Sequence, residues 1–221
     1  WDLMSASLFI SKDKKLAYTT IKDLDKESIN SAVDKLIKFA ESSVPNREFM
    51  GIAEGPFAYR EIEDTYDKKI AELGEKSIDY VEGAMNAARE NGAERSAGVF
   101  ETSETSSILV TSNDVEAEDR GTDAYFSIRS FAAKDASCHR VINSRLLAGL
   151  KVEPVAIDSA ITAKMALKPV AGAAGKFDVI FEPLSFSNLL ERLGNAASVF
   201  SVESGLSCLG GKLVVKVASE K

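Results

Sequence analysis

One histidine and two cysteines in 221 residues leave little for the commoner catalytic and metal chemistries to work with. Two thiols, Cys138 and Cys208, are too few for a disulfide framework, and a reduced cytoplasmic setting is expected. A mononuclear zinc site needs three or four convergent N, S or O ligands, and Cys138 and His139, adjacent on an extended strand, point to opposite faces. A serine triad would have to use the same His139, and no G-x-S-x-G elbow is present. A basic excess is also missing: the net charge is −7 and the pI near 5.0, so counterion release onto nucleic acid is not expected. No apolar run approaches the roughly 20 residues of a membrane span, nor is there a signal-like opening.

Hydrophobic residues make up 45% of the chain, enough for a substantial core. Residues 5–11 and 15–21 read as a hairpin around the polar KDKK. Asp23 or Asp25 then caps a helix to about Ser42, with Ile29, Val33, Leu36, Ile37 and Ala40 on its core face. Prolines and glycines break the pattern from Pro45 to Asp67, which reads as a linker or crossing segment. A second helix is expected over 67–91, with Ile70, Leu73, Ile78, Val81, Met85 and Ala88 inward, a kink or a break at Gly74 and a stop at Gly92.

From there the period changes to 2, and residues 96–101, 105–111, 115–120 and 125–132 read as four antiparallel strands joined by TSE, SND and GTD. In the last of these, Phe126, Ile128 and Ser130 alternate with Tyr125, Ser127, Arg129 and Phe131, so one row faces a core. A helix over 151–168 follows, with Val155, Ile161, Met165 and Leu167 inward and Pro169 as stop. FDVIFEP (177–183) reads as a strand, 184–196 as a helix and KLVVKVAS (212–219) as a strand. The fold class is α+β: an antiparallel β-meander with packed helices.

Two further motifs carry no chemistry. GAAGK (172–176) has its glycines too close for a phosphate loop and Phe177 where Ser or Thr is required. The acidic cluster Glu61, Glu63, Asp64 and Asp67 lacks the spacing of a calcium loop and reads as a solvated face.

KFDVIFEPLSFSNLLERLG followed by SCLGGKLVVKVASEK resembles the junction into the C-terminal domain of the TldD/PmbA (TldE) family, described as modulators of DNA gyrase and grouped with zinc metallopeptidases. LFISKDKKLAYTTIKDLDKESINSAVDKLIKFA resembles that family's first-domain hairpin and helix, and SILVTSNDVEAEDRGTDAYFSIRSFA its second-domain meander. The resemblance implies three parts: 1–60, the remainder of a first domain with a linker; 61–174, a middle domain; and 175–221, the beginning of an incomplete C-terminal domain. It also implies that family members extend beyond both ends of this chain.

In the TldD branch the helix after FDVIFEP carries H-E-x-x-x-H, two zinc-binding histidines around a glutamate that activates water. Laid on that motif this chain has Leu190, Glu191 and Asn195, so the glutamate is kept and both histidines are absent. The resemblance therefore places the chain in the PmbA/TldE branch and transfers no catalytic or metal-binding residue; these three are degenerate site positions. It implies no cofactor on this chain, zinc in a TldD-type partner, and pairing with that homologue or with a second copy. An unfolded peptide is the expected substrate of such an assembly, with no nucleic-acid or membrane partner. A peptidase with ligands outside this sequence, or a protein-binding modulator of DNA gyrase, are the alternatives.

Overall fold

A computed structural model describes residues 1–217, which fall into two compact units: residues 1–61 with 107–119, and residues 62–106 with 120 onward. The architecture is α+β, with one two-stranded and one three-stranded antiparallel sheet.

In the first unit, strands β1 (Ala6–Lys12) and β2 (Lys15–Ile21) pair from Ala6↔Ile21 to Lys12↔Lys15. Asp13 and Lys14 both take positive φ, 53° and 61°, the two-residue geometry whose twist matches that of the flanking strands. Helix α1 (Lys26–Ser42) begins at Asp25, whose carboxylate accepts from the N–H groups of Glu27 and Ser28 at 3.0 and 2.9 Å. The helix lays Leu36 and Ala40 onto Ala17, with Leu8 and Ile10 alongside, as its periodicity predicts. Lys12 Nζ ties the hairpin to Glu41 at 2.7 Å. The hairpin end at 107–119 joins this unit through Gly55 N–H, which donates to the Asn113 carbonyl at 2.7 Å. A β-carbon at Gly55 would stand 2.2 Å from the Asp114 carbonyl oxygen, which is why the position requires glycine.

The second unit contains α2 (Lys68–Ala71), α3 (Ser77–Glu90), β3 (Arg95–Val110), β4 (Glu116–Ala133), β5 (Ala136–Ser144) and α4 (Val152–Met165), followed by α5 (Pro183–Ala197) and α6 (Val199–Glu203). The end of the β3–β4 hairpin belongs to the first unit. Two strands therefore replace the expected four. Only SND is a turn, marked by Asp114 at φ 57°, whereas TSE and GTD hold no residue at positive φ and the chain runs through them extended. The sheet order is β3-β4-β5, and β5 is not among the four strands expected.

Ser127 of the other β4 row is also buried, but the row facing the core, one of the two that the alternation offers, is Phe126, Ile128 and Ser130. They meet α3 and α4, whose facing residues are mostly small: Ala84 and Ala88 on one helix, Val152, Ala156 and Ala160 on the other. This seam overturns the expected phase of the second helix. Ile78 is 62% and Met85 43% exposed, and Val81 is half-buried. The break at Gly74, with φ 49°, is the reason: it separates the buried Ile70 and Leu73 from α3 and lets α3 turn its alanines toward α4. Likewise Ile161, Met165 and Leu167 of the next helical stretch are exposed, Met165 at 79%, while Ala156, Ser159, Ala160 and Ala163 are buried. Close approach of two helix backbones selects small side chains over large apolar ones.

Ser159 is wholly buried within α4. Its hydroxyl accepts from Ser130 N–H at 3.2 Å and donates to the Cys138 carbonyl at 2.9 Å. Ser130 and Cys138 are register partners on β4 and β5, so one hydroxyl joins the helix to both strands.

Beyond Ala163 no residue up to 217 is buried. The expected strand at 177–183 is absent, as is one over 212–217; residues 218 and 219 of the expected KLVVKVAS strand lie outside the described residues. Both segments are apolar but have no neighbouring strand to take their N–H and C=O groups, and a lone strand is not stable.

Replacing Ser159 by Ala removes both hydrogen bonds and strands a buried N–H. A loss of about 1–3 kcal/mol is expected, read as a lower denaturation midpoint with an unchanged denaturant slope.

Candidate functional site

The degenerate positions lie on α5, a helix started by Pro183 in its first turn. Leu190, Glu191 and Asn195 are all exposed, and Glu191 and Asn195 stand one turn apart on one face. The donor set is one carboxylate and one neutral amide, with an aliphatic side chain at 190, so it does not fit a zinc ion. Among the described residues no group of three His, Cys, Asp or Glu side chains is arranged to hold a metal. What α5 does carry is an apolar stripe: Phe186, Leu189, Leu190 and Leu193, spaced i, i+3, i+4, i+7 and all exposed.

Arg140, on β5, reaches the residue that precedes α5. Its Nε donates to Asp158 Oδ2 of α4 at 2.5 Å. Its two terminal nitrogens meet the two oxygens of Glu182 at 3.1 and 3.2 Å, a parallel fork. Nη1 also donates to the His139 carbonyl at 3.3 Å and Nη2 to Thr162 Oγ1 at 3.4 Å. The hydrogen bond to Asp158 pushes the Arg140 pKa up, so its charge is permanent.

Cys138 is buried among Ala132, Ala136 and Ala163, and His139, next to it on β5, is half-buried. Burial pushes the Cys138 thiol pKa up, keeping it protonated and a poor nucleophile or ligand. Cys208 is exposed. GAAGK lies in an exposed stretch without regular structure.

The acidic cluster divides. Glu61, Glu63 and Asp64 are exposed, but Asp67 is structural. Its carboxylate caps α2 at Lys69 N–H and accepts from Leu147 N–H, both at 2.9 Å. Its own N–H donates to Thr122 Oγ1 at 2.8 Å. Sequence alone offered one signal of this, an Asp immediately before a helical run. The bond to Leu147, 80 residues away, has no sequence signature.

Residues 60–166 match the family model of the PmbA/TldA metallopeptidase central domain. No curated protein matches. Among solved structures, a protein described as a modulator of a DNA gyrase from Thermotoga maritima superposes with a TM-score of 0.77 at 20% identity, covering 96% of this chain and 49% of that one. A similarly described protein from Bacteroides thetaiotaomicron gives 0.76 at 19% identity, over 96% and 51%. TldE from Thermococcus kodakarensis gives 0.76 at 19% identity, over 93% and 48%. The chain thus spans about half the length of these structures, and the likeness is one of fold. Among the described residues no helix is long and apolar enough to cross a membrane.

The hydrogen bonds from Leu147 and Lys69 hold the Asp67 carboxyl below the usual carboxylate range. A depressed folded-state pKa adds stability above the unfolded value near 3.9 and loses it as pH falls through the folded one. Asp67→Asn is therefore expected to lower the melting temperature at pH 7, with the gap to the parent protein narrowing as pH falls below that unfolded value in paired thermal scans.

Proposed function

We propose that this chain, whose residues 60–166 match the model of the PmbA/TldA metallopeptidase central domain, serves as a non-catalytic subunit of a TldD/TldE-type peptidase assembly. One observation carries the reading: the α5 positions that would need imidazoles hold Leu190 and Asn195, leaving Glu191 without a metal beside it. A carboxylate alone does not make bound water acidic enough to attack a peptide at neutral pH. Zinc and hydrolysis then belong to a TldD-type partner, in the cytoplasm, and this chain contributes structure and peptide contacts.

Two features support that role. The α5 stripe, with Phe186 and Leu193 exposed, offers a helix face for a homologue or a second copy. β3 is an edge strand of its sheet, and an edge can take an unfolded peptide as a further strand without reading its sequence. The net charge of −7 favours protein over nucleic acid as the bound partner. A modulator acting on another protein is the second reading, favoured by the fold shared with the two proteins described as gyrase modulators.

Glu191→Gln in the assembled complex is expected to leave peptide hydrolysis unchanged, and metal analysis of the isolated subunit to find no stoichiometric zinc. A drop of about a hundredfold on that substitution, the size expected when a general base is lost, would make this chain catalytic.

A further inference from the structure

The chain leaves α4 at Met165 and runs through exposed residues to Glu182, which returns to the middle of that same helix beside Asp158 and Thr162. No residue from 164 to 217 is fully buried, and Leu184 in the first turn of α5 is half-buried. Glu182 is tied to the rest of its unit through one side chain, Arg140. We infer that Arg140 is a latch: its fork on Glu182 fixes where α5 starts, and so where the α5 stripe is presented.

The geometry is specific to arginine. Asp158 takes Nε, and the terminal nitrogens are left facing Glu182 in a plane that matches a carboxylate. The His139 carbonyl and Thr162 hydroxyl further restrict the guanidinium, whose side chain is 19% exposed. Glu182, by contrast, is 59% exposed and is the last residue before the helix. The half that belongs to the β5 strand is rigidly seated, and the half that belongs to α5 is free to leave. Water reaches the Glu182 side, so the latch is weakened by salt, whereas the hydrogen bonds of Ser159 that hold α4 to the sheet are buried and are not. Breaking it separates α5 from the sheet without touching the core. The inference concerns how α5 is held and stands whether or not a partner docks on it.

Amide hydrogen exchange on the intact chain tests it. Glu182→Gln is expected to speed exchange across 183–190 by about three- to fivefold while amides of β4, β5 and α4 keep the parent rates. Arg140→Lys, which keeps the charge but not the fork, is expected to do the same to a similar degree. Raising sodium chloride to about 1 M should speed exchange over 183–190 in the parent protein and have no further effect in Glu182→Gln. The latch is overturned if Glu182→Gln exchanges like the parent, if parent exchange there is indifferent to salt, or if core amides accelerate along with α5.

Discussion

Close approach of α3 and α4 over the β3–β4–β5 sheet is the constraint on which the second unit rests. The facing residues are Ala84 and Ala88 against Val152, Ala156 and Ala160, and the sheet adds Phe126 and Ile128. Helices this near to one another gain dispersion contacts along their backbones, and they leave room for Ser159 to reach two strands at once. The aromatic pairs Tyr80–Phe100 and Phe100–Phe126, with centroids 5.8 and 6.3 Å apart, close the side of the layer.

That constraint also marks where sequence reading succeeded and where it did not. α1 was legible because its apolar residues are large, its cap is an aspartate and its partner is the adjacent hairpin. The alternating row of β4 was legible for the same reason. The phases of α3 and α4 were not, since hydrophobic periodicity weighs Ile78, Met85, Ile161 and Met165 above the alanines that actually pack. The length of β3 and β4 was obscured by Ser, Thr and Gly residues that often make turns but here continue the strand. Segments 177–183 and 212–217 have strand composition without a strand to pair with, which no local pattern can reveal.

The candidate site was legible mainly as a substitution pattern. Leu190, Glu191 and Asn195 could be placed on a helix from spacing alone, and α5 is that helix. Arg140 could not be found that way: Asp158 and Glu182 lie 18 and 42 residues away from it in sequence, and the surrounding strand gives no hint that they meet. A part of the molecule whose composition is apolar is thus anchored by charge, and a part whose surface is charged is packed through its smallest residues.

The alanine seam has an evolutionary consequence. A single base change in an alanine codon yields Gly, Ser, Thr, Val, Pro, Asp or Glu, and at Ala84, Ala88, Ala156 or Ala160, each wholly buried, only the first two add little or no volume. Glycine costs about 1 kcal/mol in a helix and serine roughly half that, so most one-step paths away from the seam lead downhill in stability. Methionine and isoleucine on the outer faces of the same helices meet no such barrier, and their codons are free to wander.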